Sequence, residues 1–280
     1  MNTPQQSSET NQLPLIVEPE TLHAHLDDPQ LLIVDVPKDP GSYSRGHVPG
    51  AVFLEGRRLM HGHAPIPSDA PDVETLSALF SALGLTRDTH VVAYDDEGGG
   101  FAARLLWTLE LIGHTRYSYL NGGIHAWRAD GFEQSTEPTA PTPSNYRADI
   151  LHPDTRITGD EIKERLDDRD FAIWDARSPA EYNGEKGNNK HLGHIPGAVN
   201  MEWVNAMDPA RDLRMRGYAE MITELEAMGI TPDMEIATHC QGHHRSAFTW
   251  LVGRALGLNI RGYAGSWGEW GNRDDTPIET

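Results

Sequence analysis

Cysteine occurs once in the 280 residues, at Cys240, so no disulfide can form within the chain and a fold stapled by internal disulfides is excluded. One lone thiol also fits a reducing compartment better than a secreted, cross-linked context. No apolar run approaches the roughly 20 residues that span a bilayer. The start, Met1 to Thr10, has neither a basic nor an apolar segment, so no signal peptide is read there. Cations are scarce: 23 Lys and Arg stand against 42 Asp and Glu, a formal net charge of -19. That balance argues against nucleic acid and membrane surfaces as partners, because phosphate binding needs a local cationic excess. The expectation is a cytoplasmic protein in which an anionic ligand would need a local positive patch.

What is present points to packed cores: 38% of residues are hydrophobic and seven are Trp. The length suits two domains or one large one, and internal repetition decides for two. Leu31-Leu32-Ile33-Val34-Asp35-Val36 is echoed by Phe171-Ala172-Ile173-Trp174-Asp175-Ala176, and Gly46-His47-Val48-Pro49-Gly50-Ala51-Val52 by Gly193-His194-Ile195-Pro196-Gly197-Ala198-Val199. Val91-Val92-Ala93-Tyr94 answers Glu235-Ile236-Ala237-Thr238. This reads as a duplicated domain, residues 14–133 and 156–273, with residues 134–155 as a linker carrying Pro138, Pro141, Pro143 and Pro153. In each half, short buried strands alternate with helical patterns. Thr158 to Glu161 forms a capping box, and Asp72–Leu83 and Tyr218–Met228 have the spacing of surface helices. Phe101–Ile112 and Ala247–Leu256 are apolar enough to pack on a sheet. The fold class expected is α/β, each half a mainly parallel sheet covered by helices on both faces.

Ligands of such sheets sit beyond the carboxyl ends of the strands, which is where Cys240 falls. The segment His239-Cys240-Gln241-Gly242-His243-His244-Arg245-Ser246 joins a strand to a helix. If the chain curls around the sulfur, its N–H groups form an anion-binding nest. Gly242 would allow the positive φ that the curl needs, and Ser246 would cap the helix. A thiolate held there can take up an electrophilic sulfur as a persulfide and pass it on, chemistry that calls for no metal and no organic cofactor.

These features, with Tyr43 ahead of His47-Val48-Pro49-Gly50-Ala51 and the run Tyr263-Ala264-Gly265-Ser266-Trp267-Gly268-Glu269-Trp270, resemble a two-domain rhodanese over about residues 15–273. The active loop is similar to that of bacterial rhodaneses with a Cys-Gln-x-His-His-Arg sequence. The resemblance implies tandem rhodanese-like domains with Cys240 as the nucleophile, the first half lacking it because Asp96 aligns there. It also implies a sulfurtransferase that moves the outer sulfur of thiosulfate to cyanide or a thiol. A mercaptopyruvate enzyme and a carrier loading a protein sulfur acceptor remain as alternatives. Two departures stand out. Lys190 replaces the aromatic four residues before His194, and Glu181 occupies a position at which many members of the family place a substrate-binding Arg.

The substrate-binding set expected is Arg245, His243, His244, Gln241 and Gly242, with Asp175 and Arg177 supporting the loop from a strand end. Arg245 is read as gripping the anionic donor in preference to pairing with a carboxylate such as Asp175. His243 and His244 stand equally as donors to the substrate or as solvated loop residues. A metal site is not expected, since no second ligand pair accompanies His239, Cys240, His243 and His244. Trp267 and Trp270 are assigned to the core, and Trp203 to the mouth of a pocket. A cysteine phosphatase is the nearest enzymatic rival, but it needs five residues between Cys and Arg, and here four intervene.

Overall fold

A computed structural model describes residues 13–280; the polar start read above lies outside them. Alternation of apolar runs with amphipathic stretches produces two parallel sheets. The first half contains β1 (Ile16–Val17), α1 (Pro19–His23), β2 (Leu31–Asp35), α2 (Gly41–Arg45), β3 (Val52–Phe53), β4 (His61–His63), β5 (Ile66–Asp69), α3 (Val73–Ala82), β6 (His90–Tyr94), α4 (Gly100–Leu111), β7 (Tyr117–Leu120) and α5 (Gly123–Ala129). The second contains α6 (Gly159–Glu164), β8 (Phe171–Asp175), α7 (Pro179–Tyr182), β9 (Val199–Asn200), β10 (Met207–Asp208), β11 (Arg214–Met215), α8 (Tyr218–Ala227), β12 (Glu235–His239), α9 (Arg245–Ala255), β13 (Asn259–Gly262) and α10 (Ser266–Trp270). The sheet orders are β1-β7-β6-β2-β3 and β13-β12-β8-β9, all parallel.

Both faces of each sheet are covered, which explains strands that are apolar throughout. In β6, Val91 and Ala93 join one buried cluster while Val92 and Tyr94 join another. In β12, Ile236 and Ala237 divide in the same way. One cluster runs through both halves, because α4 and α9, long helices buried over most of their residues, pack against each other with Trp107, Phe248 and Trp250 buried. The capping box at Thr158 forms as expected, with Glu161 returning to the Thr158 N–H at 2.8 Å. Residues 134–152 hold no helix or strand but are tied to the first half: Ser144 N–H donates to Ser81 O, and Ala148 N–H to Ser77 Oγ at 3.0 Å.

The aromatic missing before His194 is supplied from farther back. Tyr43 stacks on His47 at 3.8 Å and donates its hydroxyl to Ala51 O; Tyr182 stacks on His194 at 3.7 Å and donates to Ala198 O. A longer connection in the second copy separates the partners in sequence, and packing brings them together.

Two hairpins cross between the halves. The β4–β5 hairpin of the first half lies over the Cys240 loop: a Cβ added to Gly242 would meet Ser68 Oγ at 2.6 Å, and one added to Gly268 would meet Pro67 Cγ at 2.7 Å. The β10–β11 hairpin of the second half covers the matching loop of the first, with Met207 Sδ 2.5 Å from a Cβ added at Gly98, and Met215 N–H donates to Asn121 Oδ1 at 2.8 Å.

Candidate active site

The central strand β12 ends at His239 and delivers Cys240 to the carboxyl edge of its sheet. The loop then turns into α9 at Arg245. The turn is made by a residue the sequence reading did not choose. His243 carries the positive φ, 51°, whereas Gly242 does not. The lack of a side chain at Gly242 instead admits the β4–β5 hairpin. Ser246 is not the helix cap either, since α9 begins one residue earlier with no side-chain cap. Its hydroxyl accepts or donates at His243 Nδ1, 2.8 Å away, and also bonds the Cys240 sulfur.

The sulfur is buried, with Cys240 1% exposed. Burial alone would push its pKa up. The Arg245 charge, the Ser246 hydroxyl and the N–H groups of Ser246 and Gly242 outweigh that and bring the thiol down to about 7. The nest is therefore real but partial. Two other loop amides, those of Cys240 and His243, donate to Ser266 Oγ at 3.3 and 3.0 Å. Ser266, at φ 53°, donates its hydroxyl to Tyr263 O at 2.8 Å. Helix α10 completes the loop's hydrogen bonding, Trp267 N–H donating to Cys240 O and Gly268 N–H to Gln241 O, both at 2.9 Å. Ser266 lies in the C-terminal run quoted above, yet nothing in its sequence position says that its hydroxyl would brace the loop.

Arg245 is half spoken for. Its guanidinium makes a two-point bond to Glu181, at 2.7 and 2.8 Å, while also bonding the Cys240 sulfur. The expected carboxylate, Asp175, pairs elsewhere. It holds Arg177 through bonds of 2.6 and 3.0 Å in the interior, beneath Trp267, and Arg177 also donates to Gly193 O. Asp175 and Arg177 thus support the strand end next to His239, whose Nε2 lies 3.5 Å from Asp175. Burial pushes the pKa of Glu181 up, but Arg245 and Ser178 prevail and hold it at about 2.

The two histidines part company. His243 is fully buried, edge-on to Trp107 at 4.6 Å, and burial drives its pKa well down, so a neutral imidazole packs between the halves. It presents no cation to a donor, contrary to the expectation for it. His244 bonds Glu97 of the first half, flanked by Phe101 and Trp203. Gln241 is exposed and donates to Asn189 Oδ1 at 3.0 Å. Trp203 is 9% exposed, and Trp267 and Trp270 are core. Among the described residues no group of three or more His, Cys, Asp or Glu is placed to hold a metal ion.

The first half contributes more than the sequence suggests. Arg104 on α4 is fully buried and has only carbonyl acceptors: Leu59 and Ser68 around the hairpin and His243 of the loop, at 3.1, 2.9 and 3.3 Å. Burial lowers its pKa to about 10, which leaves it charged at neutral pH. The residue matching Cys240 is also corrected. Asp35 pairs with Tyr94 as Asp175 pairs with His239, so Asp95, not Asp96, takes the cysteine's place. The Asp95 carboxylate fills its own loop, accepting from the N–H groups of Glu97, Gly98, Gly99 and Ala102 at 2.8 to 3.1 Å. Asp96 faces the other way and accepts from Lys38 N–H.

The chain was compared with known proteins. The rhodanese-like domain family matches twice, at residues 18–130 and 158–273. A thiosulfate sulfurtransferase of Azotobacter vinelandii is 50% identical over 95% of this chain and 97% of its own length. One from Pseudomonas aeruginosa is 47% identical, with the same coverage of both. The sulfur carrier protein TtuD of Thermus thermophilus is 31% identical over 94% of this chain and 96% of its own. Among solved structures, the anaerobic ergothioneine biosynthesis enzyme of Chlorobium limicola superposes with a TM-score of 0.84 at 24% identity, covering 95% of this chain and 70% of that one, a likeness of fold.

Proposed function

This chain belongs to the rhodanese family, and we propose from that membership that it is a thiosulfate sulfurtransferase working by double displacement at Cys240. The observation that carries the reading is the convergence of the Gly242 and Ser246 amides, the Ser246 hydroxyl and the Arg245 guanidinium on one thiol with a pKa of about 7. At neutral pH about half of that thiol is thiolate, the form that attacks.

The thiolate attacks the outer sulfur of thiosulfate. A Cys240–sulfur bond forms, the sulfur–sulfur bond of thiosulfate breaks, and its electron pair leaves on sulfite. The terminal persulfide sulfur inherits the negative charge, and the same donors offset it. Cyanide or a thiolate then attacks that sulfur, departs as thiocyanate or a persulfide, and returns Cys240 as thiolate. No electron is gained or lost overall. Arg245 keeps one edge on Glu181 and supplies the remaining positive potential to the dianion. Gln241 and Gly242 contribute backbone to the loop, and Asp175 with Arg177 hold the strand end that aims it.

A single reduced cysteine suits a cytoplasmic setting, and among the described residues no helix is long and apolar enough to cross a membrane. Likeness to a sulfur carrier protein supports a second reading, in which the persulfide is handed to a protein acceptor. Incubation with thiosulfate followed by mass spectrometry tests the chemistry: the peptide containing Cys240 gains about 32 Da, one sulfur atom, and the gain is absent in Cys240→Ala. Saturable thiocyanate formation from thiosulfate and cyanide supports the enzyme. Mercaptopyruvate turning over with much higher kcat/KM overturns the choice of donor, and loading that occurs only from a partner protein favours the carrier.

A further inference from the structure

A cavity of about 210 Å³ opens at the amino-terminal ends of β6 and β7 in the first sheet, lined in part by Arg87, His114, Arg116, Arg147 and Asp149. Arg87 stands before β6, Arg116 immediately before β7, His114 just past the end of α4, and Arg147 on the connecting segment. Three arginines meet a single carboxylate, so the lining carries two net positive charges. In a chain with 42 acidic and 23 basic residues, arginines would be expected to find carboxylates readily. Ten of the nineteen do; among the described residues Arg87, Arg116 and Arg147 form no ion pair, Arg87 and Arg147 standing exposed and Arg116 half-buried around this cavity. Asp149 offsets one of the three charges without an ion pair to any of them, its carboxylate accepting the N–H of Ile150 at 2.9 Å.

Two buried nitrogens in the same lining are also unpartnered. They are Nε2 of His114, a residue only 5% exposed, and Nε of Arg116. Burial lowers the pKa of His114, and its ring already bonds the backbone of Thr89 and Arg116, yet buried polar atoms without partners are costly and are normally satisfied by protein, water or ligand. The cavity is smaller than the roughly 300–1,000 Å³ of pockets for drug-sized ligands, so the occupant is small. Charge-assisted bonds from guanidinium groups match the geometry of oxyanions.

We propose that this cavity is a second anion site, separate from Cys240, which binds a small doubly charged oxyanion through Arg87, Arg116 and Arg147, with His114 completing its shell. Thiosulfate and sulfite, the anions of the reaction proposed above, belong to this class, and so does inorganic phosphate. The site itself rests on the unpaired arginines and not on that reaction.

The test uses full-length Cys240→Ala protein, so that thiosulfate cannot react, and follows the imidazole resonances of His114 by NMR. Thiosulfate, sulfite and phosphate are titrated separately at constant ionic strength, with chloride as the monoanion control. The site requires saturable shifts of His114 with at least one dianion and a rise in the pH at which His114 titrates. Arg116→Gln with Arg147→Gln should weaken that binding at least tenfold, while the same pair in the wild-type background leaves thiosulfate turnover unchanged. Saturation by thiosulfate or sulfite identifies the reaction's own anions as the occupant, and saturation by phosphate alone identifies phosphate; each supports the site. Shifts that match chloride, or that survive the double substitution undiminished, overturn it and leave a water-filled cavity. Loss of sulfur transfer by Cys240, with anion binding here intact, would refute the proposed function without touching this one.

Discussion

Replacing Arg245 by Gln removes the strongest of the influences that hold the Cys240 thiol down, and leaves burial to push it up. An ordinary thiol titrates at about 8.5, so the wild-type value of about 7 represents about 2 kcal/mol of preference for the thiolate at 1.36 kcal/mol per unit. Without the guanidinium the thiol should titrate at or above its ordinary value. The thiolate fraction at pH 7 then falls from about one half to about 3%, roughly 15-fold. A more basic thiolate is a better nucleophile, with a Brønsted slope of about 0.45, which returns roughly fivefold. The net loss in the attack step is therefore only about threefold at pH 7, vanishes near pH 8 and turns into a gain of roughly three- to fourfold at pH 9, with weaker donor binding added as a higher KM. Ionisation is the sharper measure. The pH profile of alkylation by iodoacetamide should have its midpoint near 7 in the wild type and at 8.5 or higher in Arg245→Gln. Because the single substitution strands the Glu181 carboxylate, the double variant Glu181→Gln/Arg245→Gln should be measured beside it and should also titrate at or above the ordinary thiol value. A midpoint that stays near 7 in both variants would refute the assignment of Arg245 as the cation that ionises the thiol.

Asp95→Ala leaves four amides of the first half's loop without their acceptor. It should lower unfolding stability by about 3 kcal/mol in urea titrations while the +32 Da adduct still forms on Cys240. Arg177→Met strands a buried carboxylate and should cost about 3–5 kcal/mol, read as a fall in Tm, whereas substitution of the surface residue Lys163, paired with Asp275 across exposed side chains, should cost less than about 1 kcal/mol. Glu97→Gln weakens the hold on His244 from the other half; turnover with thiosulfate should fall by a few fold while Tm changes little, and unchanged kinetics would remove Glu97 from the site's support.

The duplicated parallel sheets were legible because they follow from patterns that are local in sequence: apolar strands, turn glycines and a capping box at Thr158. The nucleophile was legible for the same reason, as it sits at a strand-to-helix junction. Its surroundings were not. Glu181, Ser266, Arg104 and Glu97 reach the loop from elements 21 to 143 residues distant, and no periodicity reports such a meeting. Glu181 stands out in the sequence only as a departure from the family, and nothing local there says that the helix capped at Ser178 turns it toward Arg245. The two histidines look equivalent in sequence, yet the left-handed turn at His243 sends one ring into the interior and leaves the other at the rim. The choice of Asp96 over Asp95 was a slip of one residue, which only the pairing of β2 with β6 could correct.

The crossed hairpins make the inert copy indispensable. A chain cut between the halves would leave the sulfur-bearing chamber without the ceiling that Ser68 and Pro67 provide, and the silent loop without Met207 in return. The copy without a cysteine is therefore no spare part. The two halves enclose each other, and the one that carries no thiol keeps solvent away from the one that does.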